Sequence, residues 1–344
     1  MKILVTGGLG FIGSHTVVEL QNKGYEVVII DNLSNSNIEV LEGIKKITNQ
    51  KPLFEKIDLR NKNKVIDFFK RHQDLDGIIH FAASKAVNES LEKPLLYYEN
   101  NLTTLIYILQ QMTENNLQNF IFSSSCTVYG EPDDLPITEK APVKPALSPY
   151  GNTKQIGEEI IRDTSKAHGL KTIALRYFNP IGAHPTAHIG ELPKGVPQNL
   201  IPYVTQTAIG LREQLSIFGD DYDTPDGTAI RDYIHVVDLA KSHVVALERL
   251  INNKNKSNFE IFNIGTGRGS SVMEIVKTFI KVNKVPLNYK IVARREGDVP
   301  AVWADTTFGE NELGWKAQLT MEDALRDSWN WEKKLRENKS YSNE

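Results

Sequence analysis

Tyr150 and Lys154 are four residues apart, and together their side chains could remove a proton from an alcohol. On a helix this spacing places both side chains on one face. A phenol, with a pKa of about 10, is a poor base at neutral pH, but a nearby positive charge favours the phenolate. The serines at 123–125 end an apolar run, and a hydroxyl there can hold the same substrate oxygen. This set is typical of alcohol oxidation in which a hydride passes to a nicotinamide cofactor.

A glycine-rich turn near the start of the chain predicts the site for that cofactor. Gly8, Gly10 and Gly13 fit the G-x-G-x-x-G pattern, and Gly7 adds a G-x-x-G-x-x-G spacing. The turn follows an apolar run at 3–5 and precedes a helical pattern at 14–23. Glycines there permit a tight turn and let the backbone approach a pyrophosphate at the helix N-terminus. Taken singly, the glycine pattern could be a turn without a ligand, and the Y-x-x-x-K pattern could be a surface pair. The two patterns occur in one chain, which favours a cofactor site and a catalytic pair.

Asp31 indicates which dinucleotide binds. It ends the next β-branched run, at 25–30, where a carboxylate accepts hydrogen bonds from ribose hydroxyls. Its negative charge would repel the 2′-phosphate of NADP, and no arginine follows it at 32–36. The sequence therefore predicts NAD. Asp58, after the run at 54–57, fits either an adenine contact or a turn.

The apolar runs predict the fold that holds these residues. Further short runs at 77–81, 119–123 and 171–176 alternate with helical patterns, which is typical of an α/β, Rossmann-type, doubly wound parallel sheet. From residue 179 to 198 prolines and glycines accumulate, as in a long functional loop. We expect an NAD-binding domain at 1–178, rejoined by about 236–265. Residues 179–344 would mainly form a smaller α+β lobe that binds the substrate.

Composition limits the partners of the 344-residue chain. Its net charge of −3 offers no basic field for nucleic acid, and no apolar run approaches the roughly 20 residues that span a membrane. Residues 1–13 fit a strand rather than a leader peptide. The single cysteine, Cys126, suits a reducing compartment, so the cytoplasm is expected, and a spacer is its simplest role. The histidines are not at metal-ligand spacing, so no metal is predicted.

Several longer segments carry a family resemblance. These are TGGLGFIGSH at 6–15, DNLSNS at 31–36, FSSSCTVYG at 122–130, SPYGNTK at 148–154, RYFNPIGAHP at 176–185, RDYIHVVDLA at 231–240 and REGDVPAVWAD at 295–305. The chain resembles, nearly end to end, the UDP-hexose 4-epimerases of the extended short-chain dehydrogenase family. The resemblance implies NAD-dependent epimerisation at C4 of UDP-glucose and UDP-galactose through a transient 4-keto sugar. It also implies a homodimer.

The same resemblance implies roles for individual residues. Tyr150 would be the base, Ser125 its hydrogen-bonding partner, and Lys154 the group that tunes Tyr150 and contacts the ribose. NAD would be bound by Gly7, Gly10, Phe11, Ile12, Gly13, Asp31, Asn32, Asn35, Ser36, Asp58, Leu59, Phe81, Ala82, Lys85, Asn100, Ser123, Tyr150, Lys154, Tyr177 and Phe178. The UDP-sugar would be bound by Lys85, Ser125, Tyr150, Asn179, Asn199, Leu200, Ser216, Ile217, Phe218, Arg231, Tyr233, Arg295, Asp298 and Val302.

Val302 departs from the family pattern. In bacterial members a tyrosine often occupies this position and lines the sugar pocket. Members with a small residue here are similar to enzymes that also accept N-acetylhexosamines. Replacement of a ring by valine frees room for an acetamido group. We therefore expect activity on UDP-N-acetylglucosamine and UDP-N-acetylgalactosamine as well.

Two other kinds of protein fit parts of the pattern. A nucleotide-sugar 4,6-dehydratase or a UDP-glucuronate decarboxylase shares the fold, but dehydratases typically need carboxylates beside the serine, and the sequence at 125–128 offers none. An NAD-binding regulator without catalysis would keep the glycines and lose the tyrosine or the lysine. Both are present here.

Overall fold

The strands and helices alternate along the chain, as the apolar runs predict. The structure, a computed structural model, describes residues 1–295 and 298–337. Two residues of the 295–305 segment, 296 and 297, and the last seven residues of the expected second lobe, 338–344, lie outside the described residues. No helix in the described ranges is both long enough and apolar enough to cross a membrane.

The described residues include a parallel sheet of seven strands with helices on both faces. In spatial order the strands are β10 (Phe259–Ile264), β6 (Lys171–Tyr177), β5 (Asn119–Ser123), β4 (Gly77–His80), β1 (Lys2–Thr6), β2 (Glu26–Asp31) and β3 (Leu53–Lys56). The doubly wound sheet is confirmed, and the strand at 259–264 does rejoin it.

Consecutive residues of one strand show why the apolar runs are unbroken. Ile3 and Val5 belong to one buried apolar cluster, and Leu4, between them, belongs to another. Side chains alternate across a strand, so a sheet covered on both faces needs apolar residues at every position. The helices around the sheet are α1 (Phe11–Asn22), α2 (Val40–Thr48), α3 (Lys62–Arg71), α4 (Val87–Glu92), α5 (Pro94–Glu114), α6 (Pro149–His168) and α8 (Val236–Ile251).

The remaining elements build the second part of the molecule. A smaller sheet contains β7 (Asn179–Ile181), β9 (Ile230–His235), β11 (Gly269–Ser271) and β13 (Ala301–Val302), and β8 (Leu215–Phe218) pairs with β12 (Tyr289–Val292). Three further helices, α7 (Leu200–Ala208), α9 (Val272–Asn283) and α11 (Met321–Glu337), cover its apolar cluster. The short α10 (Thr307–Leu313) packs beside β10. Because β7 follows β6 directly, the second part begins at the carboxyl edge of the large sheet.

Candidate active site

The glycine turn fits tightly between β1 and α1. Gly7 has a φ of +66°, and a Cβ there would lie 2.9 Å from the backbone nitrogen of Ala82. A Cβ at Gly13 would lie 2.3 Å from the carbonyl oxygen of Gly7. Gly10 precedes α1 and has no side chain to cap the helix, so the N–H groups of the first turn remain available to an anion. The turn therefore fits a bound pyrophosphate.

Asp31 connects this turn to the loop after β2. Its carboxylate accepts hydrogen bonds from the backbone nitrogens of Leu9 (3.2 Å) and Leu33 (2.9 Å), and from the hydroxyl of Ser36 (2.7 Å). The carboxylate thereby fixes the loop that carries Asn32, Asn35 and Ser36 at the carboxyl end of the strand. This is the edge where ribose hydroxyls meet a carboxylate in dinucleotide sites.

Asp58 has a partner that the sequence did not reveal. The guanidinium of Arg60 lies 2.7 Å from its carboxylate, and this hydrogen bond is the main cause that lowers the Asp58 pKa. A hydrogen bond from Asn32 also lowers it, so Asp58 and Asn32 are neighbours. Leu59 is buried beside them.

Helix α6 carries Tyr150 and Lys154. The helix starts where the Ser148 hydroxyl accepts a hydrogen bond from the Gly151 nitrogen (3.1 Å), and Pro149 occupies its first turn. Tyr150 and Lys154 are both buried. The Lys154 ammonium donates to the carbonyl oxygen of residue 123 (2.7 Å) and lies 5.8 Å from the centre of the Tyr150 ring. The spacing of four therefore brings the phenol and the ammonium together.

The serines at the end of β5 complete this group. The Ser125 hydroxyl accepts hydrogen bonds from the backbone nitrogen (3.2 Å) and the hydroxyl (3.0 Å) of Thr127, and Ser125 lies close enough to Tyr150 to oppose the rise that burial causes in the Tyr150 pKa. The hydroxyl of Ser123 is 2.8 Å from that of Tyr177, at the end of the neighbouring strand β6. The expected base and its expected partner therefore lie near each other at the end of β5.

Burial dominates the electrostatics of this group. It raises the pKa of Tyr150 well above the ordinary value, and the neighbouring Tyr177 raises it further. Burial also lowers the pKa of Lys154 to about 8, while the carboxylate of Glu158 opposes that change. In the protein alone Tyr150 is therefore protonated at neutral pH. A further positive charge, such as a nicotinamide ring supplies, is needed to form the phenolate.

The second part of the molecule places polar and aromatic side chains near the same edge. Arg231, on β9, forms an ion pair with Asp298 and lies opposite Val302 in the register of β9 and β13. The guanidinium of Arg295 lies 4.5 Å from the centre of the Phe218 ring. The other predicted substrate residues lie on β7 and β9 (Asn179, Tyr233), on β8 (Ser216, Ile217) and at the start of α7 (Asn199, Leu200).

Two contacts link this second group to the catalytic residues. Val302 packs in an apolar cluster with Cys126, Val128 and Phe178, which follow Ser125 and Tyr177 in the chain. The charge of Arg231 also acts on the Cys126 thiol, although burial outweighs it and raises the thiol pKa to about 12. A thiol with that pKa is not a nucleophile at neutral pH, which agrees with the role of a spacer.

Lys85 meets a carboxylate that the sequence analysis missed. Its ammonium lies 3.0 Å from Glu191 Oε1, which also accepts a hydrogen bond from the Asn199 amide (2.7 Å). Glu191 thus joins two residues that were assigned to phosphate and substrate. Lys85 and Glu191 are 106 positions apart, so the contact leaves no local sequence signal.

The remaining predicted cofactor residues lie around the same edge. Phe81 and Ala82 follow β4, and Asn100, on α5, donates to the hydroxyl of Ser84 (3.0 Å). Phe178 follows β6 and is buried. Within residues 1–295 and 298–337, no group of three or more histidine, cysteine or acidic side chains is arranged to hold a metal ion.

One doubly wound sheet carries a dinucleotide turn and a buried serine–tyrosine–lysine group at its carboxyl edge, next to a second lobe. These features define an extended short-chain dehydrogenase. The family model described as GDP-mannose 4,6 dehydratase matches residues 4–328. The UDP-glucose 4-epimerase of Haemophilus influenzae is 48% identical over 97% of this chain and 98% of its own length.

Solved structures agree with this assignment. UDP-glucose 4-epimerase from Bifidobacterium longum, in complex with NAD+ and UDP, has a TM-score of 0.92 and 46% identity, over 97% of this chain and 98% of that one. The Stenotrophomonas maltophila enzyme of the same name, with bound NAD and formylated UDP-arabinopyranose, has a TM-score of 0.94 and 43% identity, over 98% and 99%. The chain belongs to the GDP-mannose 4,6 dehydratase family, in its branch of UDP-glucose 4-epimerases.

Proposed function

We propose that the chain is an isomerase that interconverts UDP-glucose and UDP-galactose by NAD-dependent epimerisation at C4. The observation that carries the proposal is the burial of Ser125, Tyr150 and Lys154 at the edge of the sheet that also carries the glycine turn, with Arg231 near enough for its charge to act on Cys126. The relatives that match nearly the whole chain are UDP-glucose 4-epimerases, and two of the matching structures of that name contain NAD.

The residues around the glycine turn fit NAD. The first turn of α1 would hold the pyrophosphate, and Asp31 would accept hydrogen bonds from the adenosine ribose. Lys154 would contact the other ribose, and Lys85 the phosphates. When bound, NAD supplies a hydride acceptor that becomes the donor in the return step. We assign the cofactor to residues 1–178 and 236–265, and the UDP-sugar mainly to 179–344.

The catalytic side chains perform the proton transfers. The Tyr150 phenolate would accept the proton of the C4 hydroxyl as the C4 hydrogen leaves the sugar, and Ser125 would hold the same oxygen. Lys154 would stabilise the phenolate, since an ammonium near a phenol favours its charged form. After the hydrogen returns to the opposite face of the 4-keto sugar, Tyr150 would give the proton back. No net oxidation results.

The substrate lobe would bind the UDP half tightly and the hexose loosely. Arg231 and Arg295 can each bind a phosphate through paired donors, and the ring of Phe218 offers a face for the base. The keto sugar must turn over before the hydrogen returns, so few contacts to the hexose are expected. Asp298 holds Arg231 in place through an ion pair.

Turnover of UDP-galactose without added reductant tests this function. The purified protein is incubated with UDP-galactose, and the UDP-glucose formed is measured by NMR. We expect both sugars at equilibrium. If UDP-galactose stays unchanged in the presence of NAD, the epimerase proposal is wrong. A 4-keto-6-deoxy product would identify a 4,6-dehydratase, which the sequence Ser125-Cys126-Thr127 disfavours because it provides no carboxylate.

Val302 supports a wider substrate range. The residue lies on β13 beside Arg231, in the cluster with Cys126 and Phe178, where a valine leaves more room than a tyrosine would. We therefore include UDP-N-acetylglucosamine and UDP-N-acetylgalactosamine among the proposed substrates.

Val302→Tyr is expected to lower kcat/KM for UDP-N-acetylgalactosamine by about 100-fold, and for UDP-galactose by no more than about threefold. The phenol ring would fill the space that the acetamido group needs. Both substrates are assayed with both proteins, and Val302→Ala, which keeps the space open, is the control. Equal effects on the two substrates would show that Val302 does not set this specificity.

We propose that the protein acts as a homodimer in the cytoplasm. Helix α5 packs against α6 and presents Leu95, which is 80% exposed, and Ile106, which is 37% exposed. These residues are 11 positions apart, which on a helix of 3.6 residues per turn places them on one face. A second copy of the chain, related by a two-fold axis, would cover this face. The single cysteine, Cys126, is consistent with a reducing compartment.

The variant Leu95→Glu/Ile106→Glu is expected to convert the dimer into a monomer, because it would place two carboxylates from each copy in the contact. Light scattering after size-exclusion chromatography gives the molecular mass. Leu211→Glu, at an exposed leucine outside α5, is the control. A wild-type monomer, or a double variant that remains dimeric, would contradict this proposal.

A further inference from the structure

Helix α6 presents a third ionisable side chain on its catalytic face. Tyr150, Lys154 and Glu158 follow one another at intervals of four residues, and all three are buried. On a helix such a series forms one row of neighbouring side chains. A buried carboxylate is costly unless it is paired. The Glu158 carboxylate lies one turn beyond Lys154 and has no part in the proton transfers proposed above.

Glu158 has two partners outside its own helix. Arg176, on β6, donates to the carboxylate from Nε (2.9 Å) and Nη2 (2.5 Å), and its guanidinium lies 4.7 Å from the centre of the Tyr129 ring. Ser124 donates its hydroxyl to Glu158 Oε1 (2.6 Å). The carboxylate is thus fully occupied and held between α6, β6 and the end of β5.

The contact with Ser124 connects Glu158 to the catalytic residues. Ser124 is fully buried. It lies between residue 123, whose carbonyl accepts a hydrogen bond from Lys154, and Ser125, which neighbours Tyr150. Its backbone nitrogen also donates to the carbonyl oxygen of Leu175 (3.0 Å). A displacement of Ser124 would therefore move the partners of both Lys154 and Tyr150.

We propose that Glu158 is a positioning residue of the epimerisation: it fixes the end of β5 through Ser124 and places its carboxylate one helical turn from Lys154. The proposal rests on the function proposed above. Arg176 pairs with the carboxylate, which lets a buried negative charge persist one helical turn from Lys154.

Arg176 is charged and pairs with Glu158, whereas four other titratable side chains around Lys154 and Tyr150 are neutral at neutral pH. Burial lowers the pKa of His80, on β4, to about 3, and raises those of Tyr177, on β6, and Cys126 to about 12. The pKa of Tyr97, on α5, is also raised by burial. Glu158 is the charged group that raises the pKa of Lys154, against the larger lowering effect of burial. Loss of its charge would lower the Lys154 pKa further.

The pH profile of kcat tests the proposal. Lys154 would lose its proton at a lower pH in Glu158→Gln, so the alkaline limb of the profile should move to lower pH by about one unit. We expect kcat at the optimum to fall by about tenfold, with KM within about twofold. Glu159→Gln, at the exposed neighbour on the same helix, should leave both the limb and the rate unchanged.

Two further variants separate charge from position. Ser124→Ala keeps the Glu158 charge, so it should lower kcat without moving the alkaline limb. Glu158→Leu/Arg176→Leu removes both charges, so no unpaired charge remains buried. This double variant replaces Glu158→Gln in the test if Glu158→Gln fails to fold. Its limb should also move to lower pH. A limb at the wild-type pH in the folded charge-removing variant would overturn the proposal, whereas an inactive wild-type protein would instead refute the epimerase function.

Discussion

Tyr150→Phe is expected to lower kcat for UDP-galactose by about 1,000-fold, because it removes the phenol oxygen that we propose takes the C4 proton. The phenyl ring fills the same buried space, so the fold should be unaffected. KM should change little, since most substrate contacts are assigned to the UDP half. The measurement is steady-state epimerisation, together with the NAD content of the purified variant.

Tyr107→Phe, on α5, is the matched control for loss of a tyrosine hydroxyl, and it should keep full activity. An active Tyr150→Phe protein would show that another group removes the proton. An inactive variant that had also lost its NAD would indicate a binding defect instead. The prediction requires loss of turnover with NAD retained.

Lys154→Met is expected to lower kcat by about 100-fold, because the ammonium no longer stabilises the phenolate of Tyr150. Burial already raises the Tyr150 pKa, so loss of a neighbouring positive charge should raise it further. The residual activity should therefore appear only at higher pH than in the wild type. A pH profile of kcat measures both effects.

The stability of this variant separates the chemistry from folding. A buried ammonium loses solvation, and methionine of similar length fills the same space without that cost. The melting temperature should therefore be equal to or higher than that of the wild type. Lys166→Met, at an exposed position near the end of α6, should change neither quantity. A wild-type pH profile for Lys154→Met would contradict the role given to this lysine.

Local patterns in the sequence were sufficient to predict the large sheet and the catalytic helix. The unbroken run at 3–5 reflects a strand with a core on each face, and the four-residue spacing of Tyr150 and Lys154 survives because a helix preserves it. The glycine turn was predictable for a similar reason. A Cβ at Gly13 would overlap the backbone of the same turn, so the constraint is local.

Contacts between distant segments were not predictable in this way. Glu191 meets Lys85 across 106 residues, and Glu158 meets Arg176 only because α6 and β6 are neighbours in the fold. Glu158 did carry a sequence signal, since it continues the four-residue series of Tyr150 and Lys154. Its burial, which makes that spacing meaningful, is known only from the structure.

The Tyr150 pKa shows a second kind of limit. From the sequence, a nearby ammonium and a nicotinamide ring favour the phenolate, and the structure does place the ammonium close to the ring. Burial nevertheless raises the Tyr150 pKa well above its ordinary value. Desolvation depends on all the surrounding segments, so spacing within one helix cannot predict it.

Transfer of the C4 hydrogen tests the central claim most directly. UDP-galactose carrying deuterium at C4 is incubated with the protein in ordinary water, and the UDP-glucose formed is analysed by mass spectrometry and NMR. We expect UDP-glucose that retains deuterium at C4, because the hydrogen that leaves the sugar returns to its opposite face. UDP-glucose with solvent hydrogen at C4, or no UDP-glucose at all, would contradict it.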